Sequence, residues 1–567
     1  MLAYYLMYQP EYKPLQVGKK KVKSGCKTCK ARRVKCDEGR PACRRCVSTG
    51  RICDGYGIWG GGGSPYQLQS NRAPSIHCTP VPAGSLSHEE QQYFDWFMFK
   101  TTKKFTGLFP SDFWEVLVFQ ASVQEPSVRH AVVALSAAHK FENNKPWKFM
   151  SQNNLEAEQF TLQQYNKAIH CLQKTTSSNT KHTLRVALIT CMVFVTLEYL
   201  RGSYEMGSAH LRYGIQLLST ISAPKPRSAM SPAILGPSDD FAHNALIDSY
   251  SRLTIQSAMI GHVPAHMCVL TRDPQTHSLP YEFSSIKDAR QALDNLLNRI
   301  YCLNQSYSGP QEIKAPAEDP QLFKTQGKIL ADLCFWRKAY DASLVRLEAE
   351  ATQGDKLAFL LLRVYYEMAI IMASACLSTE GESIYDSYTE KFILILSSFL
   401  DMWRYYENQT KAGNLGLGAP SCNGLGFTID SGFIPPIYYT ALKCRVPRIR
   451  RQAIRILRSA PHREGAWNGL ILADMLEEVL RIEEYGILLE DPIIDEPIME
   501  IPLTHRHPSL FKVQALCRIS DAAVIHPTAA RGDAFMSYRQ MLEDGTWATF
   551  ERRIPPGVMN NTSAFIF

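Results

Sequence analysis

The 567-residue chain lacks the marks of several large protein classes. It does not open with a basic stretch followed by a sustained apolar core. Residues 1–18 (MLAYYLMYQPEYKPLQVG) are aromatic-rich and nearly uncharged, so no secretory signal is expected. The longest uncharged apolar run, Val186 to Leu197, is shorter than the roughly 20 residues a membrane helix needs and reads as a buried helix. Catalytic signatures are missing too. His88-Glu89-Glu90 begins like a zincin box, but residue 92 is Gln. Glycines 413, 416, 418, 424 and 426 form no G-x-G-x-x-G, and there is no G-x-S-x-G elbow. His505 and His507 flank Arg506 before Pro508 and read as a solvated loop. No catalytic constellation emerges, and no enzyme is expected.

What is present is concentrated between Cys26 and Cys53. Six cysteines, at 26, 29, 36, 43, 46 and 53, write C-x2-C-x6-C twice across a six-residue connector. Zinc takes four tetrahedral ligands, readily thiolates. One ion would leave two of the six sulfurs idle. Two ions need eight bonds, which six sulfurs supply only if two of them bridge. Equivalent members of the copies should play equivalent parts, so Cys26 and Cys43, each first in its copy, are the expected bridges between two Zn2+. Six thiolates and two zinc ions leave a charge of about −2, which neighbouring Lys and Arg can offset. A domain below about 40 residues rarely folds without such a staple, so the metal-free module is expected to unfold. A disulfide framework would suit a short secreted chain, and a redox pair would want a βαβ context; neither setting is present. The other ten cysteines are scattered singly from Cys78 to Cys517, as suits reduced thiols.

The metal-holding stretch is strongly basic. Residues 19–53 carry thirteen Lys or Arg against Asp37 and Glu38, a net charge of +11, whereas the whole chain is +8. The remainder is therefore slightly acidic. Such concentration is the footprint of a phosphate-backbone binder. Lys30, Ala31, Arg32, Arg33, Val34 and Lys35 span a helical turn and a half pinned at both ends by metal, and rigid placement of Arg or Lys is what bidentate guanine reading requires. Lys19 to Lys23 could equally serve as a nuclear import signal.

These residues resemble the DNA-binding module of the fungal binuclear zinc cluster transcription factors. The match comprises the six cysteines, the basic segment ending Val34-Lys35-Cys36-Asp37, and Pro41 two residues before Cys43. The resemblance implies that the first and fourth cysteines bridge the metals. It also implies that Arg32 and Arg33 read CGG-type triplets, with Lys30 and Lys35 on phosphates.

Beyond Cys53 the composition changes. Residues 55–86 hold Gly60 to Gly63, Ser64, Pro65, Pro74, Pro80 and Pro82 and read as a flexible linker. No heptad follows the cluster, which leaves dimerisation open. From 87 to 567 the pattern is helical nearly to the end: His88–Phe105, Ser127–Lys140, Leu155–Leu172, Leu184–Leu200, Glu205–Leu218, Ile286–Asn304, Leu322–Glu350, Lys356–Leu377, Lys391–Tyr406, Arg448–Leu457 and Ala466–Tyr485. The expected fold is mostly α: a small metal-stapled module at 19–54 after an N-terminal tail at 1–18, a Gly/Pro linker, and a large all-α body. EPSVRHAVVALSAAHK, GSAHLRYGIQLL, SGFIPPIYYTALKCRVPRIRRQAIRIL and HREGAWNGLILADMLEEVLRIEE resemble the helical fungal-specific regulatory domain found after such clusters. Glu477 to Glu500 reads as a helix of the body followed by an acidic loop. The tail from about Arg531 either docks on the body or stays loose.

The expected function is a nuclear, zinc-dependent, sequence-specific regulator of RNA polymerase II transcription. Arg32 and Arg33 meet base edges, while Lys19 to Lys23, Arg44, Arg45 and Arg51 contact phosphates of double-stranded DNA. Co-regulators and a homodimer are left open as partners, and no membrane is expected. The alternative is a helical ligand sensor or scaffold with only non-specific nucleic-acid affinity.

Overall fold

The computed structural model describes most of residues 26–37 and 43–49 in the cysteine module. In the body it describes residues 86–143, 152–175, 180–222, 240–260, 279–307, 320–411, 426–484, 512–525 and 534–554, apart from isolated positions, and the two short strands 234–235 and 271–272. The expected linker, but for Leu86, and Lys19 to Lys23 lie outside the described residues. The chain falls into two compact units, the cysteine module within residues 1–77 and the body beyond.

In the module, a helical turn at Thr28 and Cys29 is matched by α1 (Arg44–Val47). The body begins at α2 (His88–Trp96), whose start is a capping box. The Ser87 hydroxyl accepts the Glu90 amide (3.2 Å), and the Glu90 carboxylate accepts the Ser87 amide (2.8 Å). A π-helical turn, Phe97–Thr101, carries α2 into α3 (Thr102–Phe105), and a second, Phe113–Leu117, leads into α4 (Val118–Gln124). Then come α5 (Pro126–Asn143), α6 (Gln152–Thr175), α7 (Lys181–Arg201) and α8 (Tyr204–Ser222). Helix α7 is apolar on nearly every side, because the body surrounds it: Val186, Leu188, Ile189, Val193, Val195 and Leu197 are all fully buried. By length and composition α7 and residues 355–375 could cross a membrane, but 83% and 72% of their most apolar windows are buried inside the body, the setting of core helices. Gly214 on α8 permits close packing against α9 (Phe241–Met259), since a Cβ there would stand 2.4 Å from the Tyr250 ring.

Helices α10 (Ile286–Tyr307), α11 (Pro320–Glu350), α12 (Gln353–Ala375) and α13 (Thr389–Lys411) continue the body. Trp336 of α11 is fully buried. It stacks on Tyr340 and Tyr366, and its indole N–H donates to the Ala289 carbonyl (2.8 Å). The last helices are α14 (Ile434–Lys443), α15 (Pro447–Ser459) and α16 (Gly469–Glu483). Two small sheets accompany them. β1 (Ile234–Leu235) pairs in parallel with β2 (Thr271–Arg272). β3 (Gly426–Thr428) runs parallel to β4 (His462–Glu464), which turns back into β5 (Trp467–Asn468).

The mostly α class is borne out, and the end of the chain adds to it. β6 (Ile519–Ile525), β7 (Ala534–Met541) and β8 (Trp547–Ile554) form an antiparallel sheet in that order. Its inner face, with Ile519, Val524, Met536, Tyr538 and Ile554 buried, alternates with an outer face of Arg539, Glu551 and Arg553. Period two replaces the helical period here. The sheet is docked rather than loose. Glu483 accepts the Ile519 amide (2.8 Å), Arg552 pairs with Glu478 (2.6 Å), and the Val513 amide donates to the Arg445 carbonyl (2.9 Å). Beneath it lies a buried charge network in which Glu483 binds Arg445 (2.9 Å) and Arg450 (2.5 Å), and Arg445 also pairs with Glu382. The expected helix from Ala466 starts three residues later, because Trp467 and Asn468 belong to β5 and Asn468 caps α16 through the Leu470 and Ile471 amides.

Candidate metal centre and nucleic-acid interface

The two cysteine copies fold alike at their first turns. The Cys26 sulfur accepts the Cys29 amide (3.3 Å), and the Cys43 sulfur accepts the Cys46 amide (3.4 Å). Each first cysteine is thus the N-terminal cap of its own turn, and the C-x2-C spacing puts both sulfurs of a copy on the same side. Four sulfurs, those of Cys26, Cys29, Cys43 and Cys46, lie within 4.8 Å of one another, all buried. The separations are 3.6 Å for Cys26–Cys43, 3.8 Å for Cys26–Cys46, 3.6 Å for Cys29–Cys43 and 3.9 Å for Cys29–Cys46. Zinc–sulfur bonds of about 2.3 Å in a tetrahedron place thiolates about 3.8 Å apart, so the donor set fits zinc in spacing and in chemistry. Cys36 is also buried. Its sulfur accepts the Cys26 amide (3.4 Å) and lies within 4.8 Å of the Cys43 sulfur. Cys53 lies outside the described residues.

Charge follows the same geometry. Burial alone would raise the Cys43 thiol, but the Cys46 amide and the sulfurs of Cys46, Cys29 and Cys26 more than offset it and bring it down to about 7. At Cys29 burial prevails and the thiol is pushed up. Zinc would hold these sulfurs as thiolates, supplying the positive charge that lets the set remain buried.

Of the expected DNA contacts, Arg33, Lys35, Arg44 and Arg45 are exposed, while Lys30 and Arg51 lie outside the described residues. The basic segment is shorter as a helix than a turn and a half. The Arg32 amide donates to the Thr28 carbonyl (3.1 Å) and the Val34 amide to the Cys29 carbonyl (3.1 Å), with Arg33 left-handed at φ 58°. This is a Schellman-type helix end whose terminating position, usually glycine, is held by Arg33. Arg32 is only partly exposed, and its guanidinium donates to the Thr49 hydroxyl (3.3 Å), tying the first copy to the second. Two residues absent from the expected site also contribute. Thr49 bonds the Arg45 carbonyl (2.8 Å), and Asp37 accepts the amides of Arg44 and Arg45. The Asp37 contacts and the Arg32–Thr49 bond span 7 to 17 residues, so spacing rules for helices do not reveal them.

Comparison with known proteins agrees with this geometry. Residues 24–58 match the fungal Zn(2)-Cys(6) binuclear cluster domain, and residues 86–260 match the fungal specific transcription factor domain. The transcription regulator lscL of Purpureocillium lilacinum is 23% identical over 385 residues, covering 62% of this chain and 86% of that protein. The aspercryptin biosynthesis cluster-specific transcription regulator atnN of Emericella nidulans is 28% identical over 219 residues, 35% of this chain but only 34% of its own length. The sterol uptake control protein 2 of Saccharomyces cerevisiae is 61% identical over 33 residues, 6% of this chain and 4% of its own length. No solved structure matches the chain significantly. With a cysteine module whose donor set fits zinc, followed by a mostly helical body, this chain is similar to the fungal Zn(2)-Cys(6) transcription regulators.

Proposed function

We propose that the chain is a nuclear regulator of RNA polymerase II transcription that reads CGG-like half-sites in the major groove and has no catalytic activity. The observation carrying this reading is the exposed set Arg33, Lys35, Arg44 and Arg45 on a scaffold whose buried sulfurs stand at zinc-sharing distances. In this reading Cys26, Cys29, Cys36, Cys43, Cys46 and Cys53 ligate two zinc ions, with Cys26 and Cys43 bridging. Arg32 and Arg33 meet base edges, while Lys30, Lys35, Arg44, Arg45 and Arg51 lie on phosphates. Arg32, tied to Thr49, acts from a restrained position, whereas Arg33 is exposed. Residues 19–54 form the reading module, 55–86 the linker and 87–567 the regulatory body, which receives co-regulators or a second copy.

The test is selection of binding sites from random DNA with the full chain. A sequence reader returns a CGG-like triplet and binds the selected duplex ~10³-fold or more above random duplex. A ratio near one instead makes the chain a helical sensor or scaffold with non-specific affinity. Arg33→Ala should relax base preference. Arg44→Ala should weaken binding evenly on all sequences and reduce the salt slope by about 1. Equal loss on all sequences from both changes would refute that division of labour.

A further inference from the structure

Metal binding leaves one carboxylate of the cysteine module unexplained. Asp37 is exposed, yet both its oxygens are committed: Oδ2 accepts the Arg44 amide (3.0 Å) and Oδ1 the Arg45 amide (3.1 Å). It directly follows Cys36, and a carboxylate oxygen lies within 4.8 Å of the Cys36 and Cys43 sulfurs. Eight zinc–sulfur bonds are already available from six cysteines, so the carboxylate is not needed as a ligand. The same Cys-Asp pair closes the second copy at Cys53-Asp54, which makes the aspartate part of the repeated unit.

We infer that Asp37 is a positioning residue that fixes the direction in which the Arg44 and Arg45 side chains leave the cluster. The inference rests on the DNA-binding role proposed for those arginines. Its physical basis is the smallness of α1. Four residues form one turn, whose first amides have no partner within the helix. Such a turn does not hold itself together. Zinc would fix α1 at two points, the sulfurs of Cys43 and Cys46, and two points leave rotation about the line joining them. Asp37 supplies the third. Its backbone is fixed in turn through Cys36, one residue away, so the restraint is referred to the metal cluster rather than to a loose loop. The Arg45 carbonyl, held by Thr49 (2.8 Å), closes the other end of the turn.

Charge alone predicts the opposite outcome, which makes the inference decidable. Removing a carboxylate from a surface that meets phosphates should tighten DNA binding. Losing the positioning of two arginines should weaken it. The experiment uses full-length protein, wild type, Asp37→Ala, Asp37→Asn, Arg44→Ala/Arg45→Ala and the triple variant. Zinc content is measured, with affinity for a selected duplex over a series of salt concentrations. Asp37→Ala should keep two zinc ions, bind about tenfold more weakly near physiological salt, and reduce the salt slope by about 1 to 2. Asp37→Asn, which retains one acceptor, should recover part of the loss. The arginine substitutions should cost less in the Asp37→Ala background than in wild type, by about the same tenfold factor. Tighter binding, an unchanged slope, additive effects, or zinc below two per chain in Asp37→Ala would each overturn the inference. Wild-type protein that does not bind DNA in a salt-dependent way would overturn the proposed function itself.

Discussion

Glu483→Gln should be among the most damaging single substitutions in the body, although it alters one atom. The carboxylate is fully buried and serves three donors: Arg445 (2.9 Å), Arg450 (2.5 Å) and the Ile519 amide (2.8 Å). Both guanidiniums are themselves almost inaccessible, at 1% and 0% side-chain exposure. Arg445 Nε and Arg450 Nη2 already have no acceptor among the described residues, so the network is not fully satisfied even with Glu483 in place. An amide retains one oxygen and turns an NH2 toward cations. Removing one partner of a buried pair costs about 3–5 kcal/mol, chiefly through the stranded charge. At about 2 cal/mol/K per residue, a body of this size loses roughly one degree of Tm per kcal/mol, so a fall of about 3–5 °C is expected. Because Ile519 begins β6, the sheet should loosen first, and proteolysis near residues 512–525 should accelerate before the rest unfolds. Thermal unfolding and limited proteolysis of wild type and variant read both effects. The reasoning also requires that replacing Arg445, Arg450 and Glu483 together by apolar residues of similar volume restores most of the loss. A single-variant cost below about 1 kcal/mol, or a triple variant as unstable as the single, would refute it.

Stability of the body should also fall in mild acid. His139 is buried, and burial together with the charge of Lys104 lowers it to about 4 from an ordinary value near 6.5. A depressed histidine favours folding above its unfolded value and loses that contribution as pH falls toward the folded one. His139 should therefore account for about 2 kcal/mol between pH 7.5 and 5, and His139→Gln should flatten the Tm-against-pH curve in that window. A variant with the same slope as wild type would remove His139 as the cause. Chelation should separate the two units: stripping zinc should abolish DNA binding, while far-UV circular dichroism falls by only a few per cent, because among the described residues the groups that could hold a metal lie in the cysteine module. Broad loss of helicity on chelation would contradict that separation.

The cysteine module was legible because its information is local: six residues at fixed spacing specify the donor set almost regardless of context. Helices with a clear apolar stripe, such as α10, were legible for a similar reason. Helix α9 was not. Most of its circumference is buried, and Thr254 and Gln256 donate to the Tyr250 and Ile429 carbonyls (2.7 and 3.3 Å). Its polar residues therefore mark no solvent face. Nothing local in α15 marks Arg450 as buried, yet its guanidinium is held by an acid 33 residues away. The final sheet did carry a local signal. Asp544-Gly545 sits between alternating runs, with Gly545 left-handed at φ 81° and the Thr546 amide on the Asp544 carboxylate (2.9 Å). Asp37 and Thr49 depend on contacts between the two copies, which no single-segment pattern encodes.

Arg33 stops the first turn in a backbone shape that glycine adopts freely and arginine does not. In the proposed reading, stopping the turn and meeting DNA are therefore asked of one residue. A glycine there would make the fold sturdier by about 1 kcal/mol and leave the surface silent at that point. Selection for tighter folding and selection for recognition pull this residue in opposite directions, so a search for more stable variants of the module should find Arg33→Gly early and lose the message with it.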